Sequence, residues 1–464
     1  MLILAALLFT VTSAEALTGP YWPAYLNGPA HSSYQPAATA LSPTAVPQLK
    51  PLWSWHPTET LKPGQPGQLL FASPTVMNGR VFIGSDAGYF YAIDAATGRA
   101  AWSRFLGYTV KTTCGGWGVV ATATVAPDPV THVSTVYVDA ADGYLYALRA
   151  ADGALVWKSL VARPSTTVNN YMNWSSPTVM GGHVYVGLAS NCDIPLIRGG
   201  EVSFGQHTGA KEATHYTIAA GSVGNSVWSS AAGRADGSIF ITTGNGPTSG
   251  TESEAVVRLQ LAGGSLVAHD SWQVPPQERT PDSDFGGSAT FFSASIGGTR
   301  TPMVGACNKN GIYYALRQSA LRAGPVWELH VSKPYGSDAE PGQCDAAAVW
   351  DGAHLYIGGN GTTIQGKAYP GSIRKIDPGT GLPLWQTGLA GQIIGSPTMN
   401  GAGVVAAVTY NTHGGSNSLY LINAGTGAIL RAVTLNSPAF GQPVFAGDRL
   451  YVAAQKGLTV WGLP

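Results

Sequence analysis

The sequence predicts an all-β fold, an eight-bladed β-propeller closed into a ring by its own N-terminal strand, and three observations carry that prediction. A unit of about 55 residues recurs along the chain. Each unit holds four short strand-like runs ending in a tight turn and a last strand. The final unit supplies only three strands, while a matching fourth stands alone near the N-terminus. With 60 Gly, 31 Pro and 44% hydrophobic residues, the composition suits many short strands joined by tight turns.

The repeat is read most clearly from Ser73 to Trp102, SPTVMNGRVFIGSDAGYFYAIDAATGRAAW, and again in the units ending at Trp157 and Trp385. The turn glycine before each last strand falls at Gly98, Gly153, Gly209, Gly264, Gly324, Gly381 and Gly427. Within a unit the innermost strand is the S-P-T-V run, whose small residues suit the crowded axis. The V-Y-V-G and L-Y-A-L-D runs follow with period-two alternation. In the Asp-x-x-Thr-Gly turn, the Asp carboxylate can accept from backbone amides two residues on, and Gly accepts positive φ. Trp102, Trp157, Trp327 and Trp385 end the last strands and are expected to pack against the next blade. Seven such turns mark seven complete units. The runs from Phe440 to Leu463 give three more strands, and LKPLWSW, Leu49 to Trp55, completes an eighth blade and removes the open sheet edge. A seven-bladed ring is the main rival count.

Residues 1–16, MLILAALLFTVTSAEA, read as a signal peptide: an apolar stretch closed by small residues and too short to span a bilayer. Residues 17–48 form an N-terminal extension and 49–464 the single propeller domain. Export implies a secreted or periplasmic protein in an oxidising compartment. The four cysteines, Cys114, Cys192, Cys307 and Cys344, permit three pairings. Formal net charge is zero with no Lys/Arg run, so nucleic acid and anionic membranes have no electrostatic footprint. No C-x-x-C-H, G-x-S-x-G or H-E-x-x-H is present, which excludes covalent c-type haem and two hydrolase classes. His183 and His354 occupy equivalent turn positions and read as surface residues.

Propeller geometry says where a site must lie. The innermost two strands of a blade are antiparallel, so the start of the first and the end of the second share one face beside the axis. Starts carry Cys114 and Trp117, Trp174, Trp228, Asp282 and Asp284, and Cys344. Ends carry Cys192 and Asp193, Asn245, Cys307 and Lys309, and Asn360. Carboxylate and amide oxygens, a lysine and several indoles around one mouth would suit a hard cation and a flat anionic ring. Each residue alone has a blander account: packing for the indoles, turn-capping for Asp284, solvation for Lys309.

These motifs resemble the PQQ-dependent (quinoprotein) alcohol dehydrogenases, including the polyvinyl alcohol dehydrogenase branch, over nearly the whole mature chain. In VWSSAAGRADGSIFITTGNGP, the resemblance implies that Trp228 lies beneath the quinone and Asn245 binds the metal. TPDSDFGG places Asp284 at the catalytic base, which also faces the metal, with Ser283 where the family has Trp. CNKNGIYYALR supplies Lys309, whose cation would touch the quinone oxygens and support catalysis. Trp174 and Cys114 are expected beside the cofactor. The family's vicinal half-cystine pair is broken here by Gly115. Its metal-binding Glu is missing, with Ile194 nearest that position and Asp193 one residue away as the candidate third ligand. Gly286, where lanthanide-binding members carry an acid, leans toward calcium. The resemblance implies PQQ and calcium as cofactors, a small-molecule or polymeric alcohol as substrate, and a separate electron acceptor. A non-catalytic propeller that binds proteins or polymers is the alternative.

Overall fold

The computed structural model describes residues 21–109, 115–163, 171–172, 174–247, 252–334, 343–412 and 416–464. It is all-β, with only short 3₁₀ turns between strands. Eight antiparallel sheets stand around one axis. Blade 1 runs Thr75–Met77, Arg80–Gly84, Tyr89–Asp94, Ala100–Phe105 from the axis outward, and the later blades repeat this order. Blade 8 consists of Val444–Ala446, Arg449–Ala454 and Gly457–Gly462, completed by Lys50–Trp55, which pairs antiparallel with Gly457–Gly462. The expected closure is therefore present, and the count is eight.

The turn chemistry follows the sequence. Asp94 Oδ1 accepts from the amides of Ala96 and Thr97 and from the Thr97 hydroxyl, and Asp377 does the same for Gly379 and Thr380. The seven turn glycines all have φ between +67° and +80°, a region that side chains disfavour. Five of them, Gly98, Gly153, Gly209, Gly381 and Gly427, also receive the indole of the preceding blade: a Cβ at Gly153 would lie 2.7 Å from Trp102, and one at Gly427 2.8 Å from Trp385. Each such Trp donates its Nε1 across the blade interface, Trp102 to Ala150 O at 3.1 Å and Trp327 to Pro378 O at 2.8 Å. Trp53 of the closing strand does likewise to Ala95 O at 3.1 Å. Eight apolar clusters fill the spaces between neighbouring blades.

Around the axis, blades are joined by side chains. The backbone amide at the start of an innermost strand donates to the hydroxyl at the same position of the next blade. Ser73 donates to Thr122, Thr122 to Ser176, Ser176 to Ser230 and Ser230 to Ser288, at 2.8–3.0 Å. Gln442 of blade 8 donates to Ser73, and Ala347 of blade 6 to Ser396 of blade 7, both at 2.9 Å. A small hydroxyl residue is required there because the amide it satisfies is buried and has no sheet partner.

The N-terminal extension does more than precede the ring. It passes under the innermost strands and satisfies their free amides in turn: Val76 donates to Trp22 O, Val125 to Pro23 O, Gly233 to Pro29 O, Phe291 to Ala30 O, Trp350 to Ser32 O and Met399 to Ser33 O. Trp22 and Leu26 are fully buried. The axial channel is thereby floored on one side, which leaves the opposite face as the open mouth. The leader, residues 1–16, lies outside the described residues.

Candidate active site

Five of the expected residues meet at that mouth. Trp228 precedes the innermost strand of blade 4 (Ala232–Gly233), and Asn245 follows its neighbour (Ser238–Thr242). Asp284 precedes Thr290–Ile296 of blade 5, Lys309 follows Thr299–Cys307, and Asp193 follows His183–Ser190 of blade 3. All five stand at strand starts or ends on one face, so three blades deliver them together.

Asp284 is buried and held from two sides. Its Oδ1 accepts the Asn245 backbone amide at 2.6 Å, and its Oδ2 lies 3.0 Å from Lys309 Nζ. Gly244 permits this approach, since a Cβ there would come within 2.8 Å of Asp284 Oδ1. Lys309 Nζ also reaches Asp282 Oδ1 at 3.0 Å and sits 5.3 Å from the Trp228 ring centre. The Lys309 backbone amide donates to Asp284 O at 2.9 Å, which ties the two segments independently of charge. The Asn245 carboxamide is 3.0 Å from both Asp284 Oδ1 and Asp193 Oδ2, and Ser190 Oγ donates to the other Asp193 oxygen.

Four carboxylates, Asp193, Asp282, Asp284 and Asp345, share one ammonium. Burial alone would lower Lys309, but Asp284, Asp345 and Asp282 outweigh it and hold the ammonium protonated well above its usual range. Burial raises the Asp193 carboxyl, with Asp284 and Asp282 adding repulsion. Asp345 is pushed up to about 6 by burial, against the pull of Lys309.

Asp193, Asn245 and Asp284 fit a hard cation. With the Asn245 amide nitrogen toward the two carboxylates, it bridges them as a double donor; with its oxygen toward them, that oxygen lies 3.0 Å from an oxygen of each. That spacing and donor type match an oxygen-ligated ion at 2.3–2.6 Å. Among the described residues no trio drawn from His, Cys, Asp and Glu alone is so arranged; the amide of Asn245 completes this one.

Beside the acids opens a mouth of about 320 Å³. Trp174, Tyr410 and Phe440 form an aromatic cluster in its lining, with Trp174 in turn 5.1 Å from Trp117. Trp228, Lys309, Gln343, Asp345, Gln392 and Thr412 line the rest. A second, small cavity of about 70 Å³ lies below on the axis, ringed by the Ser/Thr hydroxyls and floored by Tyr25. Trp174, Trp228, Asp345, Ile394 and Phe440 border both. The Trp228 face and the Lys309 ammonium fit a flat anionic ring.

Other expectations fare differently. Cys114 lies outside the described residues. Asn360 serves the backbone, with Nδ2 donating to Gln343 O and Ile393 O and Oδ1 accepting from Ile393 N. Cys307 and Cys344 form a buried disulfide that ties the Lys309 segment to the Asp345 segment, one of the three pairings left open. His183 pairs with Glu212 at 2.8 Å, away from the mouth. Sequence reasoning missed Asp345, Gln392, Tyr410 and Phe440. Asp345 and Phe440 stand at innermost-strand starts, so the rule that found Asp284 could have found them.

The family profile PQQ_2, described as outer membrane protein assembly factor BamB, matches residues 48–288 and 369–463. No curated protein matches the chain. Among solved structures, quinohemoprotein alcohol dehydrogenase from Comamonas testosteroni is 16% identical, with 97% of this chain and 81% of that one covered and a TM-score of 0.72. A europium-containing methanol dehydrogenase is 16% identical, with 96% and 98% covered and a TM-score of 0.74. BamB from Moraxella catarrhalis is 13% identical, with 89% and 99% covered and a TM-score of 0.56. At these identities the likeness is one of fold.

Proposed function

The chain belongs to the PQQ-repeat propeller family matched by that profile, and from this premise we propose that it is a quinoprotein-type oxidoreductase that oxidises an alcohol or polyol with PQQ and calcium. The observation that carries the reading is the cluster Asp193–Asn245–Asp284–Lys309 beside the Trp228 face. A generic propeller has no reason to gather four carboxylates, one of them buried, around one lysine at its axis.

PQQ and calcium, when bound, supply an electrophilic quinone and a Lewis acid. Trp228 offers the stacking face that fixes the ring plane. Asp193, Asn245 and Asp284 would hold the ion. Asp284, with Oδ1 pinned by the Asn245 amide, presents Oδ2 to take the substrate's hydroxyl proton. Lys309, already 3.0 Å from that oxygen, orients the carboxylate and places positive charge where negative charge develops. The sequence lacks a haem-attachment motif, so electrons pass to a separate acceptor. The leader-like start of the chain supports a secreted or periplasmic location. Among the described residues no helix is long and apolar enough to cross a membrane.

The profile's description and the BamB likeness favour a second reading, a non-catalytic propeller that binds proteins or polymers. Reconstitution separates them. Purified protein is given PQQ and calcium and assayed with primary, secondary and polymeric alcohols and a dye acceptor. We expect quinone absorbance on the protein and dye reduction; neither appearing would establish the scaffold reading. Asp284→Asn should cut turnover by at least about a hundredfold while retaining quinone.

A further inference from the structure

The mouth carries an unmet demand. Asp345 Oδ1 is buried and has no hydrogen-bond partner. It packs closely on Gly286, whose lack of a side chain makes room for it: a Cβ there would stand 2.1 Å from this oxygen. A buried carboxylate oxygen left without a donor costs far more than one that is paired. Gln343, Gln392 and Thr412 add further polar groups to the mouth. The rings of Trp174, Tyr410 and Phe440 also line it, with Tyr410 and Phe440 5.7 Å apart and steeply inclined. A small monohydric alcohol could use only one hydroxyl, at the Asp284 side, and would leave the Asp345 oxygen unpaired.

We propose that this mouth selects a cyclic polyol: one hydroxyl for the reaction, a second donated to Asp345, and the C–H face of the ring against Trp174 and Phe440. The inference rests on the proposed function for the reaction but not for binding. A mouth of about 320 Å³ lies at the lower end of the volumes that hold drug-sized ligands, which admits a six-membered ring. Discrimination follows from the unpaired oxygen, because a site built to receive a hydroxyl rejects the analogue that lacks it.

The test measures binding to the full chain without cofactor, by calorimetry and tryptophan fluorescence. The ligands are myo-inositol, cyclohexane-1,2-diol and cyclohexanol, the last two differing by one hydroxyl. We expect the diol and inositol to bind about tenfold or more tighter than cyclohexanol, the effect of one hydrogen bond to a charged group. Asp345→Leu should erase that preference, while Trp174→Ala should weaken all three ligands. Thermal unfolding confirms that both variants fold; should either fail, Gln392→Ala, expected to weaken inositol most, takes its place. Equal binding of diol and cyclohexanol, or a preference that survives loss of the Asp345 carboxylate, would overturn the inference. The two proposals fail separately. A polyol preference without dye reduction removes the enzyme and leaves the binding site; dye reduction as efficient with cyclohexanol as with the diol does the reverse.

Discussion

Replacing Gly286 by Ala should disable the mouth while leaving the ring of blades intact. Its φ is not in the left-handed region, so the effect is steric and not conformational. The new Cβ would sit 2.1 Å from Asp345 Oδ1 and 2.7 Å from Trp228 Cη2, whereas real Cβ atoms keep about 3.0 Å from such neighbours. Asp345 must therefore retreat by about 0.9 Å and the indole by about 0.3 Å. Neither atom is the free end of a flexible chain: the indole is a rigid plane, and the Cys344 disulfide tethers the residue beside Asp345. Overpacking of this size costs about 1–3 kcal/mol, a fall of a few degrees in Tm at most for a protein this large. Displacements near 1 Å in a positioned site reduce turnover about a hundredfold. The assay pairs thermal unfolding of the unliganded protein with quinone and polyol titrations. Gly67→Ala, whose Cβ would meet nothing closer than 3.6 Å, is the control. A Gly286→Ala protein that binds both ligands as the wild type does would refute the packing argument and, with it, the placement of Asp345.

Three further outcomes follow from the fold. His31 is buried with Nδ1 2.9 Å from Ala289 O, and burial lowers it to about 4 from 6.5. The native state thus resists a proton that the unfolded chain accepts. His31 leaves stability at its full value above about pH 6.5 and withdraws up to about 3 kcal/mol as pH falls toward 4; urea unfolding at pH 7 and 4.5 should show a smaller loss for His31→Gln. Ser176→Ala removes the hydroxyl that satisfies the buried Thr122 amide at 3.0 Å and should cost about 1–3 kcal/mol, read as a shift in denaturation midpoint. A chain that begins at His56 loses the closing strand Lys50–Trp55 and exposes the edge of Gly457–Gly462; gel filtration should show oligomers or aggregate instead of monomer.

Much of the architecture was legible because propeller signals are local. The Asp-x-x-Thr-Gly turn, the glycine with positive φ and the Trp that covers the next blade's glycine are each written within a few residues. Their spacing counts the blades. The orphan LKPLWSW run was legible for the same reason, as a fourth strand without its other three. The path of residues 21–35 beneath the ring was not, because it rests on backbone amides spread over six blades and carries no periodic pattern. In the site, Trp228, Asn245, Asp284 and Lys309 were found through motifs in adjoining strands. Asp345 was missed because the QCDAAA run has no motif and was read for Cys344 alone.

The sequence by itself determined the repeat, the strand that closes the ring and the face on which unusual residues would gather, since these depend on turn chemistry and strand order; the structure decided eight blades over seven. Only the tertiary structure decided which of those residues meet. Asp193 comes within 3.0 Å of Asn245 although it is one position away from the family's acid, because Cys192 and Asp193 both take left-handed φ of 53° and 55°. Asn360, equally prominent in the repeat, turns to the backbone instead. The physical reason is that a side chain's direction at a strand end depends on the local backbone torsions and on what the neighbouring blade leaves open, and neither is encoded by spacing along the chain.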